Sequence, residues 1–360
     1  MNSSLNELGK REDGNKYDLL ATNKFTTGGL RTRVDELDVK IMRALISERA
    51  VAPSSPRVKS TLRSIADRLG ADDMTVSYRY KRLQESGCMS VWSLLINPGF
   101  FGYGVTEVMV DVSPESAKAD MIRKLKLVHE ITGLVNFYGT GLRIFMIYNG
   151  GEARSRTIEL ISRITNAEKI TQSRMALPRS STQNLTDTDV AIIRALSKDA
   201  RKSTVLVAKE LGFSAKTVRK RVDRLRRENT IFPFPILNVE SVPGLIPLYL
   251  TFTYSSRDAK ASADRLVLSY FDSTFLTGNF SDPESGTALL AASTAAEVQK
   301  ILEWAKSQMG IASARIDIPT ETFMFPDKLI EMLKLRHENV VLQQKGSQRI
   351  ILEKGMEYES

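Results

Sequence analysis

Two blocks of sequence occur twice in this chain, in the same order and about 140–150 residues apart. The segment LDVKIMRAL, which contains Asp38, corresponds to TDVAIIRAL, which contains Asp189, and residues 65–83 correspond to residues 207–225. The spacing differs between the blocks because the first copy contains an insertion at 49–60, whose prolines and serines favour a loop. Two independent blocks that agree in order indicate a duplication, so we expect two copies of one folding unit.

Each copy begins with signals for three short helices. Apolar residues at helical spacing are followed by a shorter helical pattern that ends at Gly70 in the first copy and at Gly212 in the second. Asp72 or Asp73, and Ser214 in the second copy, can then cap the start of a third helix. A helix, a glycine turn and a capped helix together predict a helix-turn-helix in each copy.

The third helix of each copy has an apolar face and a polar, mostly basic face. In the second copy Val218, Val222 and Leu225 recur at helical spacing and should face the core. The opposite face can enter the major groove, where polar side chains reach base edges and other cations contact phosphates. A solvated helix surface is the alternative interpretation. The residues predicted to bind DNA are Thr75, Ser77, Tyr78, Arg79 and Arg82 in the first copy and Lys216, Thr217, Arg219, Lys220, Arg221, Arg224 and Arg227 in the second.

A β-rich run follows each third helix, at 89–96 and 231–237, and we expect it to form a wing. Beyond it, the patterns predict strand–helix–strand–strand–helix–strand at 105–177 and again at 245–322, with the last strand at 313–322. The predicted fold class is α+β, two repeats of a winged helix-turn-helix followed by a ferredoxin-like βαββαβ domain. The predicted domains are a disordered N-terminal tail (1–33), the first winged helix-turn-helix (34–98), the first α/β domain (99–180), the second winged helix-turn-helix (181–240), the second α/β domain (241–325), and a C-terminal helix and tail (326–360).

A helix-turn-helix followed by a βαββαβ domain resembles the Lrp/AsnC family, the feast/famine transcription regulators, over residues 34–322. The resemblance is carried by the two repeated blocks and by the segments YGTG (138–141) and LTGN (276–279), which are similar to the family's Thr-Gly turn. It implies a DNA-binding regulator that associates through its βαββαβ sheets and often binds a small effector, commonly an amino acid, near this turn. A plain hairpin turn is the alternative interpretation. The implied effector residues are Gly139, Thr140, Gly141, Thr277, Gly278 and Asn279.

The chain departs from the family's usual pattern in two respects. A usual member has one unit and this chain has two, so the two α/β domains can pair within one chain. The first copy also has the insertion and a less basic third helix, which argues against equal DNA affinity of the two copies. Two readers about one DNA turn (~34 Å) apart would require a pseudo-palindromic or direct-repeat operator, with half-sites that differ.

Charge and cysteine content agree with this interpretation. The formal net charge of +9 favours a polyanionic partner, although charge alone does not separate DNA from RNA or an anionic membrane. The single cysteine, Cys88, excludes an intramolecular disulfide and indicates a cytoplasmic protein. The uncharged stretch at 86–106 contains Pro98 and four glycines, which suit a strand and a loop better than a membrane helix. Residues 326–340 predict an additional helix, which would be available to pack on a partner.

The sequence offers little for catalysis. Two scattered histidines, His129 and His337, and one cysteine form no metal-ligand cluster, so we expect no metal, no cofactor and no enzymatic activity. One alternative is an enzyme on the same scaffold, because sirohaem decarboxylases resemble this family in fold. Another is a ligand-sensing or oligomerising module without DNA affinity.

Overall fold

A computed structural model of the chain describes residues 34–50, 62–167, 169–175, 177–180, 184–237, 245–270, 276–278 and 285–335. The predicted N-terminal tail, most of the insertion, Asn279 and the segment beyond residue 335 lie outside the described residues.

The same order of elements occurs in both halves of the chain. The first half contains α1 (Glu36–Ala50), α2 (Leu62–Leu69), α3 (Asp73–Glu85), β1 (Met89–Ile96), β2 (Gly104–Asp111), α4 (Lys118–Leu127), β3 (Ile131–Phe137), β4 (Gly141–Tyr148), α5 (Gly151–Thr165) and β5 (Ile170–Met175). The second half contains α6 (Asp187–Ser197), α7 (Thr204–Leu211), α8 (Ala215–Arg227), β6 (Ile231–Leu237), β7 (Ile246–Tyr254), α9 (Lys260–Tyr270), β8 (Leu276–Gly278), β9 (Ser285–Ala292), α10 (Ala295–Ser307), β10 (Ile311–Asp317), β11 (Pro319–Met324) and α11 at 326–335.

Local capping explains where the third helix of each half begins. The side chain of Asp72 accepts a hydrogen bond from the backbone nitrogen of Thr75 at 2.9 Å, and Ser214 accepts one from Thr217 at 3.0 Å. The turns before these helices contain Gly70 and Gly212, whose φ values of +60° and +72° lie in the left-handed region that favours glycine. The predicted glycine turns and capped helices are therefore confirmed.

The strands β1 and β6 pair with each other in antiparallel orientation, from Met89 opposite Leu237 to Ile96 opposite Ile231. This corrects the expectation of one wing for each helix-turn-helix. Each strand finds its hydrogen-bonding partner in the other half of the chain, because a single strand cannot satisfy its own backbone groups. The two helix-turn-helix units are thus joined by a two-stranded sheet.

Each half also contributes a ferredoxin-like sheet in which every strand pair is antiparallel. The strand orders are β11-β3-β4-β2-β5 and β10-β7-β9-β8. The single last strand predicted at 313–322 was wrong, because β10 ends at Asp317 and β11 crosses to the first sheet, where it pairs with β3. At this crossover the backbone nitrogen of Tyr138 donates to the carbonyl of Ile318 at 2.8 Å. The final strand therefore covers an edge of the other half's sheet.

The two sheets pack with helices on one face and with each other on the opposite face. In the first sheet, Val108 and Ile144 belong to a cluster with Leu125 of α4 and Ile161 of α5. The second sheet has an equivalent cluster with α9 and α10. The opposite faces meet where the ring of Phe137 packs edge-on against another aromatic ring, that of Tyr249, with 5.5 Å between the centroids.

Arg143 lies buried at this contact between the sheets. Its Nη2 atom donates to Oγ1 of Thr251 at 2.9 Å, its Nε atom lies 3.5 Å from Oε1 of Glu107, and its guanidinium lies 4.5 Å from the ring centroid of Tyr249. Burial raises the pKa of Glu107, and the nearby charge of Arg143 acts in the opposite direction. One guanidinium therefore links groups from both sheets.

The predicted C-terminal helix is observed as α11, and it packs on this chain. Leu329, Ile330 and Leu333 are buried in the largest apolar cluster. The Nζ atom of Lys328 donates to three backbone carbonyls at and beyond the end of α4, those of residues 126, 128 and 131, at 3.1, 2.6 and 2.7 Å. Burial lowers the pKa of Lys328 to about 8. The helix is therefore attached to the first α/β unit.

The uncharged stretch at 86–106 follows α3 and contains β1, a short 3-10 helix and the start of β2. Among the helices in the described ranges, none is both long and apolar enough to cross a membrane.

Removing the guanidinium between the sheets should destabilise the protein. We expect Arg143→Ala to lower the free energy of unfolding by about 3–5 kcal/mol, because Glu107 would stay buried without its partner. Urea unfolding would measure the change, with Arg156→Ala on the exposed face of α5 as the control. A double variant with Glu107→Gln should recover part of the stability. An effect of Arg143→Ala no larger than that of the control would contradict this role.

Candidate nucleic-acid interface

The helices α3 and α8 bury the apolar faces that the sequence predicts. Val218, Val222 and Leu225 are buried in α8, and Val76 and Leu83 are buried in α3. The side chains of the opposite faces are exposed or half-buried.

A buried aspartate connects the first and third helices of the second helix-turn-helix. Asp189 is fully buried, and its Oδ2 atom lies 2.7 Å from Nη2 of Arg224 and 3.2 Å from Nη1 of Arg221. Thr186 and Asp189 also form a capping box at the start of α6. Burial favours the neutral acid, but the hydrogen bonds from Thr186 and Arg224 outweigh it, and the pKa of Asp189 lies below its ordinary value.

The first helix-turn-helix contains the same arrangement. Asp38 is fully buried, forms an ion pair with Arg82, and lies 3.2 Å from Nη1 of Arg79. The same Nη1 atom donates to Oδ1 of Asp35 at 2.6 Å, and this hydrogen bond lowers the pKa of Asp35. Both copies thus use an acidic residue of the first helix to hold two arginines of the third.

These contacts correct the sequence-based assignment of four arginines. Arg79, Arg82, Arg221 and Arg224 were placed on the DNA-facing side of their helices, but their partly buried guanidiniums point at the aspartates. A buried carboxylate needs a paired cation, and that need determines where these side chains lie. The repeat contained a signal for this role, because the aspartate and both arginines are identical in the two copies.

The rest of the basic face of α8 is open to solvent. Lys216, Thr217, Arg219, Lys220 and Arg227 are exposed. The hydroxyl of Thr217 lies 2.8 Å from that of Ser214, within the cap, and Nε of Arg227 is 3.4 Å from the carbonyl of Asp223. Within the described residues, Lys216, Arg219 and Lys220 make no hydrogen bond or ion pair. These three cations can therefore meet an anionic partner without breaking an internal contact.

The corresponding face of α3 has different chemistry. Of the residues predicted to bind DNA, Thr75 and Tyr78 are exposed and Ser77 is half-buried. Met74, which the sequence analysis did not single out, is 81% exposed, and Tyr78 is 68% exposed. The exposed Lys81 has its Nζ atom 3.7 Å from Oε1 of Glu85. The accessible surface of α3 is therefore mostly neutral.

Trp92 of β1 contacts both helix-turn-helix units. Nε1 of Trp92 donates to Oη of Tyr80 at 3.1 Å, and the guanidinium of Arg201 lies 4.8 Å from the Trp92 ring centroid. The backbone nitrogen of Ala200 donates to the carbonyl of Trp92 at 2.7 Å. Sequence reasoning missed this junction, because its residues are distant along the chain and form no recognisable motif.

The predicted effector turn in the first half is held by a buried lysine. Nζ of Lys118 donates to the carbonyls of Phe137 and Gly139 at 2.7 and 2.6 Å, and burial lowers its pKa. Oγ1 of Thr140 donates to Oδ1 of Asp111 at 3.3 Å, and Gly141 begins β4. In the second half Thr277 and Gly278 lie in β8, and Asn279 lies outside the described residues. These internal hydrogen bonds are sufficient to explain the first turn as a plain hairpin turn.

Breaking the buried ion pair should loosen the attachment of α8. We expect Asp189→Asn to lower the free energy of unfolding by about 3 kcal/mol at pH 7, because two guanidiniums lose their carboxylate. The pKa of Asp189 is depressed in the folded state, so its stabilisation is complete above the unfolded value of about 3.9 and is lost as the pH falls through the folded value. The difference between wild type and variant should therefore shrink below about pH 4.

Urea unfolding at several pH values would measure this difference. The matched control is Asp223→Asn, which removes an exposed carboxylate from α8 itself. Equal effects of the two substitutions at pH 7, or a difference that does not change with acidification, would contradict the structural role of Asp189.

Comparison with known proteins finds similarity in the second helix-turn-helix unit. The family model of the AsnC-type helix-turn-helix domain matches residues 185–226, which contain α6, α7 and most of α8. The HTH-type transcriptional regulator Ptr1 of Methanocaldococcus jannaschii is 29% identical over 106 residues. The matched segment covers 29% of this chain and 66% of that relative, slightly less than two thirds of its length.

Solved structures are similar over longer stretches. The sirohaem decarboxylase NirDL has a TM-score of 0.50 and 11% identity, covering 84% of this chain and 99% of that one. Its complex with an iron-uroporphyrin III analogue has a TM-score of 0.51 and 10% identity, covering 82% and 97%. At this identity the similarity concerns the fold alone. Escherichia coli AsnC is 19% identical over 37% of this chain and 91% of its own, with a TM-score of 0.30. Residues 185–226 therefore contain an AsnC-type helix-turn-helix domain, and the chain is similar there to transcription regulators of the Lrp/AsnC family.

Proposed function

We propose that the protein is a cytoplasmic, sequence-specific DNA-binding transcription regulator with two helix-turn-helix readers, α3 and α8. The observation that carries the proposal is the exposed basic face of α8, where Lys216, Arg219 and Lys220 are available inside the matched domain. A capped helix after a glycine turn can place its first turns in the major groove. There Lys and Arg recognise guanine edges or contact phosphates.

The pairing of β1 with β6 supports an inverted rather than a direct arrangement of half-sites. Neighbouring antiparallel strands are related by a local two-fold axis, and here each strand directly follows the third helix of its own unit. A two-fold relation between the readers matches a pseudo-palindromic operator. Arg201 also holds the two units together, because its guanidinium lies 4.8 Å from the ring centroid of Trp92 in β1.

The proposed regulator consists of two copies of one unit, divided at the boundaries predicted from the sequence. The contact between the two ferredoxin-like sheets, with Arg143 at its centre, supports an intramolecular pseudo-dimer. Association of further chains and binding of a small effector, such as an amino acid, stay predictions. The hydrogen bonds from Lys118 favour the plain-hairpin interpretation of the turn at 139–141.

The fold similarity to NirDL keeps an enzyme on this scaffold as the second candidate. His129, the histidine among the described residues, is exposed just after α4 rather than between the sheets. We therefore expect no saturable change in the Soret band when an iron uroporphyrin is titrated into the protein. A saturable spectral shift at one tetrapyrrole per chain, retained after His129→Ala, would favour the enzyme instead.

Removing the exposed cations of α8 should weaken DNA binding in a salt-dependent way. We expect the triple variant Lys216→Ala, Arg219→Ala, Lys220→Ala to bind DNA more weakly. The slope of log affinity against log salt should become shallower by about 0.9 for each phosphate that the variant no longer neutralises. Fluorescence anisotropy with a labelled duplex at several salt concentrations measures both quantities.

The matched control removes the same number of charges from the α/β units. Lys124→Ala, Arg156→Ala, Arg163→Ala lowers the net charge equally on exposed faces of α4 and α5. We expect this control to keep nearly the wild-type affinity and slope. If both triples weaken binding to the same extent, DNA affinity reflects overall charge and α8 is not the reader.

A further inference from the structure

The two reader helices expose different chemistry at equivalent positions. The repeat aligns Met74 with Lys216, Ser77 with Arg219 and Tyr78 with Lys220. In α8 all three positions are cations, and in α3 they are a thioether, a hydroxyl and a phenol. In both helices two arginines pair with a buried aspartate. The two helices differ in these other residues, which remain exposed or half-buried.

The exposed cations of α8 suit guanine. The major-groove edge of guanine presents two acceptors, O6 and N7, and Arg or Lys donating to both is the commonest base-specific contact. Arg219 and Lys220 follow the first turn of α8, where a recognition helix contacts base edges. Both side chains are exposed.

The exposed side chains of α3 suit thymine. Thymine is the base that carries a methyl group in the major groove, and apolar contacts recognise it. Met74 and Tyr78 lie four residues apart on one side of α3 and are 81% and 68% exposed. The nearby cation Lys81 lies beside Glu85, and no arginine faces outward from α3 within the described residues. The exposed face of α3 therefore presents few cationic donors for the O6 and N7 acceptors of guanine.

We infer that the protein reads an inverted but chemically unequal operator, with α8 on a guanine-containing half-site and α3 on a thymine-containing one. Met74 and Tyr78 contact thymine methyl groups, and Arg219 and Lys220 contact guanine edges. This inference rests on the proposed function. Because the readers are unequal and joined in one chain, the protein binds its operator in one orientation.

Base analogues that each remove one feature test this inference. An operator is first selected from random duplexes with the full-length protein. Deoxyuridine then replaces thymine, which removes only the methyl group, in one half-site at a time. We expect the affinity to fall about three- to fivefold per contacted methyl, in one half-site only. Replacing guanine by 7-deazaguanine, which lacks N7, should lower the affinity about fivefold in the other half-site.

Variants assign each half-site to a helix. In the double variant Met74→Ala, Tyr78→Ala, deoxyuridine should no longer lower the affinity, while 7-deazaguanine should still lower it. Arg219→Ala, Lys220→Ala should do the reverse. The matched control for the apolar pair is Leu127→Ala, Tyr138→Ala, which removes two exposed side chains from the first α/β unit and should change neither effect.

Three results would overturn the inference, and they separate it from the proposed function. A selected operator whose half-sites respond equally to both analogues, or a deoxyuridine effect that persists in the α3 variant, would overturn the unequal readout while the proposed function stands. Failure to select any common sequence would overturn the proposed function, and the inference with it.

Discussion

The positions of α3 and α8 depend on a buried carboxylate in each helix-turn-helix unit, which is shielded from water and must be paired with a cation. Asp38 and Asp189 are fully buried at the start of the first helix of their units, and a buried charge is tolerated only when it is paired. Arg82 and Arg224 supply that pairing from the third helix, aided by Arg79 and Arg221. The ion pair therefore fixes the rotation of each third helix about its axis, and so decides which of its side chains are exposed.

Local features of the units follow from the sequence because their causes are local. The side chain of Ser214 and the left-handed Gly212 act within a few residues, so the start of α8 and the turn before it are predictable from spacing alone. The buried face of α8 follows equally from helical periodicity. The role of Arg224 does not, because an arginine on a polar helix face looks the same whether its partner is a phosphate or Asp189, 35 residues earlier.

Features that join the halves are harder to predict for the same reason. The alternating pattern at 313–322 is compatible with one long strand, and only the three-dimensional position of β3 explains why the chain leaves the second sheet near Ile318. β1 and β6 each look like a wing, yet each supplies the other's backbone partners. The buried Arg143 gives no sequence signal, since its partners Thr251 and Tyr249 lie in the other half.

Because two units are joined in one chain, the exposed residues of their third helices can change independently. In a symmetric homodimer one substitution alters both readers, so the half-sites must stay alike. Here the aspartate–arginine pairs are present in both units, while Met74 and Tyr78 stand where the other unit has Lys216 and Lys220. The internal ion pairs keep both helices in position, and their exposed residues differ independently. If α8 binds DNA as proposed, the linkage also keeps α3 close to the same duplex, so α3 would need little phosphate affinity of its own.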